Sequence, residues 1–169
     1  MKNQFNRFAL RFLTVILLGL LLLCLRGRSQ GAVTAILAPR FASPWELSKL
    51  AYWPLLAGLL LIGRLPGAGL PLRAELKCLV LTPLALFLAF WGVSVIHPAA
   101  GVYLLLWIVA AALSLALADQ GKEDSKGISL WLVLAIALGV FYILFSLMPP
   151  MAGPFLDPTD VAAMATIPY

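Results

Sequence analysis

The sequence predicts an all-α polytopic membrane protein, a single bundle of five transmembrane helices with the N-terminus inside and the C-terminus outside. Three observations predict it. Hydrophobic residues make up 63% of the 169-residue chain and charged residues only 11%, where a soluble domain carries about a quarter charged residues. The apolar residues gather into five runs, at 8–25, 47–62, 76–96, 102–118 and 128–148. Each run is about long enough to cross a hydrocarbon core of ~30 Å at about 1.5 Å per residue. In lipid a segment must satisfy its own backbone donors and acceptors, so the runs are helices. With their flanks they predict helices over 8–25, 44–62, 74–96, 100–118 and 128–148, with an outer tail over 149–169. No polar stretch is long enough for a second domain, so residues 1–169 form one unit.

The first helix follows a basic start, Lys2, Arg7 and Arg11. That pattern also begins signal peptides, which end in small residues just past the apolar core. Here Ala32-Val33-Thr34-Ala35 come well beyond it, after Arg26 and Arg28, so the first helix is read as retained. Pro39 and Pro44 interrupt the connection that follows, and its mildly apolar 32–37 stretch is expected at the interface. The second connection, 63–71, is rich in Gly and Pro and so irregular. Pro83 is expected to kink the third helix, with Thr82 helping to satisfy the freed carbonyl. The third and fourth helices join tightly at His97-Pro98-Ala99, and residues 119–127 form a polar turn. Ala110, Ser114 and Ala118, Ala135 and Gly139, and Ala85 and Ala89 recur every four residues, a spacing that lets helices approach closely.

Basic residues set the orientation. With the N-terminus inside, the inner side receives Lys2, Arg7, Arg11, Arg64, Arg73, Lys77, Lys122 and Lys126, and the outer side only Arg26, Arg28, Arg40 and Lys49. Cytoplasmic loops carry the excess of Lys and Arg. The expected topology is therefore N-in and C-out. The net charge of +5 orients the chain and does not imply nucleic-acid binding. Cys24 and Cys78 fall inside apolar runs, at no metal-site spacing, and read as small buried hydrophobes without a disulfide.

The densest local pattern is Ser43-Pro44-Trp45-Glu46-Leu47-Ser48-Lys49-Leu50, followed by Tyr52-Trp53-Pro54. Ser43 and Glu46 have capping-box spacing, and Pro44 falls at the first helical position. Lys49 sits three residues after Glu46, on the same face. Trp45, Tyr52 and Trp53 suit a membrane–water boundary. The same residues also have a functional reading, because ionisable groups at membrane depth often mark a site. His97, Asp157 and Asp160 belong to the same outer side. A Glu, a His and an Asp on one face can bind a metal or act as acid and base if they converge.

With Ser43, Trp45, Glu46, Lys49, Leu50, Tyr52, Trp53 and Pro54, and with Phe155-Leu156-Asp157-Pro158-Thr159 after the last helix, the chain resembles the uncharacterised bacterial families of small polytopic membrane proteins. The resemblance implies a helical membrane fold in a bacterial cytoplasmic (inner) membrane, and no reaction, substrate or cofactor.

Two function classes follow. The first is a non-enzymatic membrane subunit binding membrane lipid or another membrane protein. The second is an outer-face enzyme or transporter using Glu46, Lys49, His97 and Asp157. The sequence carries no phosphate loop, paired-histidine motif or nucleophile elbow, and it implies no cofactor and no metal.

Overall fold

The computed structural model describes residues 2–25, 31–40, 42–63, 65, 70–96, 100–120, 127–150 and 153–155. They form six α-helices: α1 (Lys2–Cys24), α2 (Ala32–Leu37), α3 (Pro44–Ala57), α4 (Leu72–Ser94), α5 (Ala100–Asp119) and α6 (Ile128–Leu147). A π-helical turn, Gly58–Ile62, continues α3, and a 3-10 turn, Gly153–Phe155, follows α6. Four segments are long and apolar enough to cross a membrane: Phe5–Cys24 in α1, then α4, α5 and α6. Their outward faces carry side chains such as Leu17, Leu105, Leu113, Val133 and Ile136, all exposed. Apolar surface of that extent belongs in lipid.

The exception is α3. Its α-helical part is 14 residues long and carries Glu46, Ser48 and Lys49. It is also the most deeply buried element, with residues 43–52 all inside the bundle. It packs against α1 and α4 and touches α5 and α6, while α4 reaches both α5 and α6. The Glu46, Ser48 and Lys49 side chains of α3 thus lie inside the bundle, where they find partners away from lipid.

Two prolines lie inside helices without ending them. Pro83 sits within α4, which runs on to Ser94. Pro54 sits within α3. A proline has no N–H to give to the carbonyl four residues earlier, here that of Leu50. The indole N–H of Trp107, from α5, donates to that carbonyl at 3.0 Å. Trp107 fits there because Gly19 of α1 lies against its ring, where any Cβ would collide. One glycine, one tryptophan and one proline from three helices therefore form a single device at the middle of the bundle.

Several expectations need correction. On α5 the buried residues are Trp107, Ala111, Leu115 and Ala118, so of the Ala110, Ser114 and Ala118 stripe Ala118 is buried and the other two are half-buried. On α4, Ala85 is exposed and Ala89 half-buried, while Leu79, Thr82, Leu86 and Phe90 face inward. The small-residue spacing marks the buried face on α6, where Ala135 and Gly139 lie, and misses it on α4. Gly139 does serve close packing, but for a side chain: a Cβ there would lie 2.5 Å from the Tyr52 hydroxyl oxygen. Cys24 is exposed, not buried, and both cysteines are free.

Candidate functional site

The Ser43–Pro54 motif folds as one helix N-terminus. Ser43 is extended at the cap position, and its hydroxyl oxygen accepts from the Glu46 N–H at 3.3 Å. The Glu46 carboxylate reaches back across the cap, where Oε2 accepts from the Arg40 N–H at 2.9 Å. Its other oxygen meets Lys49 Nζ at 2.5 Å. Glu46 thereby closes the loop ahead of α3 as well as pairing within the helix.

Lys49 is fully buried. Its ammonium has three donors and no acceptor. One goes to Glu46, one to Ser146 Oγ at 2.6 Å on α6, and one to the Ala35 carbonyl at 3.1 Å on α2. Ser146 in turn donates to the Tyr142 carbonyl one turn earlier. A second strand of the network runs beside it. Ser48 Oγ donates to the Trp45 carbonyl at 2.7 Å, so the Tyr142 hydroxyl donates to Ser48 at 2.6 Å. Tyr52 donates to the Ala135 carbonyl at 2.8 Å and Trp53 to the Ile36 carbonyl at 2.9 Å. The network joins α2, α3 and α6 at one end of the bundle.

Aromatic rings cover it. Trp45 packs against Tyr142, Phe145, Phe155 and Phe87, with centroids 4.7, 5.4, 5.3 and 5.6 Å away. Phe155 comes from the 3-10 turn after α6, so the chain beyond the last helix returns onto the bundle. Trp45 and Tyr52 are buried and only Trp53 is half-buried. The first two are core residues, which corrects their reading as a boundary belt.

The arrangement is closed chemically. All three Lys49 donors are engaged, and both Glu46 oxygens accept. An acid or base needs a proton within reach of a substrate, and here the three Lys49 donors end on protein acceptors. Ser43, Trp45, Glu46 and Lys49 lie together in this network. His97 and Asp157 fall outside the described residues, as do Leu156 and Asp160.

Sequence reasoning missed a second buried pair at the other end. Arg11 Nη1 of α1 lies 2.5 Å from Glu75 Oε1 of α4, and both side chains are nearly buried. Leu70 N–H donates to the same carboxylate oxygen at 3.3 Å. Nearby, Arg7 meets Asp119 of α5 at 3.4 Å and Lys77 lies over the Trp131 ring of α6. Arg11, which the sequence places in the basic start of the first helix, is buried and paired within the bundle. The available signal was Arg11 lying three residues inside the first apolar run.

Comparison with protein-family models, with curated proteins and with solved structures gives no match.

Proposed function

We propose that this chain is a non-enzymatic, five-span subunit of a bacterial inner membrane that binds a partner protein or lipid through its outward faces. The observation that carries this reading is the saturation of Lys49. A lysine whose three donors all end on Glu46, Ser146 and Ala35 is a latch between helices, not a reactive group. The alternative, in which Glu46 and Lys49 join His97 and Asp157 as a catalytic or transport site, needs those donors released.

The fifth span is α3 with its π turn. Together they cover residues 44–62, about 28 Å of helix, close to the hydrocarbon thickness. Lys49 near one end meets the C-terminal turn of α6. Gly63 at the other end lies beside Glu75, in the first turn of α4. The basic residues favour an N-terminus inside. Of the four that oppose it, Lys49 is consumed by the latch and leaves the balance more one-sided. Reporter fusions at Gln120 and Tyr169 are expected to read cytoplasmic and external respectively. The reverse readings would overturn the topology.

The functional test is purification in mild detergent from the native membrane, with mass spectrometry of whatever protein, lipid or metal is retained. The expected result is a protein or lipid held in fixed proportion by the wild type and by a folded Glu46→Leu/Lys49→Met variant alike. A bound metal or small metabolite lost from that variant alone would contradict the proposal.

A further inference from the structure

Lys77 differs from the paired cations near it. It lies five residues after α4 begins at Leu72, about 8 Å along the helix axis, and it is half-buried. Its ammonium stands over the Trp131 ring of α6, 5.7 Å from the centroid. It makes neither a hydrogen bond nor an ion pair with any described residue. No carboxylate among the described residues is left for it. Glu46 pairs with Lys49, Glu75 with Arg11 and Asp119 with Arg7, and the described residues hold no other acid. A ring face attracts a cation but carries no charge to neutralise it. Below Lys77 the same face of α4 turns apolar. Leu81 and Leu84 follow four and seven residues on, a spacing that keeps them on that face, and both are exposed.

We propose that Lys77, positioned by Trp131, binds the phosphate of an anionic phospholipid whose acyl chain lies along Leu81 and Leu84. The inference rests on the reading of this chain as a membrane protein that binds lipid, and it names the lipid class and the place. The charge fits, since basic side chains near the end of a membrane-spanning helix attract acidic headgroups. The depth fits as well, because tryptophan settles at headgroup level. A cation with leucines beneath it matches an amphiphile with a charged head and an apolar tail. Inorganic phosphate would use the cation alone and leave the leucines unused.

The test adds phosphatidylglycerol, phosphatidylcholine or inorganic phosphate to the purified chain in mild detergent and follows binding by native mass spectrometry. The wild type is expected to prefer phosphatidylglycerol to phosphatidylcholine by about five-fold. Lys77→Gln is expected to lose that preference and Lys77→Arg to keep it, and inorganic phosphate is expected not to displace the lipid. Equal binding of the two lipids by the wild type, an unchanged preference in Lys77→Gln, or displacement by inorganic phosphate overturns the proposal. A wild-type structure in phosphatidylglycerol nanodiscs supplies a second measurement that needs no variant. Headgroup density within about 4 Å of Lys77 Nζ supports the site, and its absence there overturns it. Lipid retained without dependence on Lys77 overturns this site and leaves the broader reading standing. A native preparation that retains neither lipid nor protein overturns the broader reading.

Discussion

At one end of the bundle, Glu46 and Lys49 lie three residues apart on one helix. At the other end, Arg11 and Glu75 come from α1 and α4. The Glu46–Lys49 pair is sealed: every Lys49 donor has a protein acceptor, and rings close over it. The Arg11–Glu75 pair borders a cavity lined also by Gly58, Leu59, Cys78 and Leu115. A charge can stay buried in either way, by exhausting its hydrogen bonds within the protein or by keeping room for solvent. The first way makes a rigid joint between helices. The second leaves a pair that tolerates change.

This difference predicts unequal responses to mutation. Lys49→Met leaves Glu46 buried without its cation and should cost about 3–5 kcal/mol, the usual penalty for breaking a buried pair. Thermal unfolding in detergent measures it, and a loss under about 1 kcal/mol, the range of exposed pairs, would mean that the latch is not sealed. Glu75→Gln should cost less, about 1–3 kcal/mol, because the amide still accepts from Leu70 and the side chain borders a cavity. If the two variants are equally damaged, the contrast between the ends fails.

Between the ends stands the Pro54 device. Trp107→Phe removes the donor to the Leu50 carbonyl and should cost about 1–3 kcal/mol for a buried acceptor left unpaired. In a Pro54→Ala background the backbone N–H returns, and the same change should cost less. Equal cost in both backgrounds would show that Trp107 acts by packing alone. The smallest effect is expected at the cap. Ser43→Ala should cost about 0.5–2 kcal/mol, the range for losing an N-cap, measured in the same unfolding assay. No measurable change would mean that the Arg40–Glu46 bond holds the helix start unaided.

The Glu46–Lys49 end was the more legible of the two for a physical reason. Ser43, Pro44, Glu46 and Lys49 act within one helical turn or so, and local spacing encodes such geometry directly. The long-range partners left a fainter mark. Tyr142 and Ser146 stand four residues apart in an otherwise apolar helix, which places them on one face without saying what they face. The pairing of Arg11 with Glu75 crosses 64 positions of sequence, and no periodicity reports it. The run lengths located the helices to within a few residues, apart from α1, which begins at Lys2. They did not show that α3, which carries Glu46 and Lys49, is the most deeply buried helix. Nor did they show that Pro54 would be matched by Trp107, since that match depends on which helices become neighbours.

The central claim is that Glu46 and Lys49 form a self-contained latch. Thermal unfolding of Glu46→Leu/Lys49→Met in nanodiscs, beside the two single variants, tests it most directly. Replacing a whole buried pair by apolar residues is often neutral or stabilising. The account predicts that the double variant unfolds near the wild-type temperature while each single variant unfolds well below it. A double variant as unstable as the singles would contradict it, because the pair's worth would then lie in contacts beyond the latch.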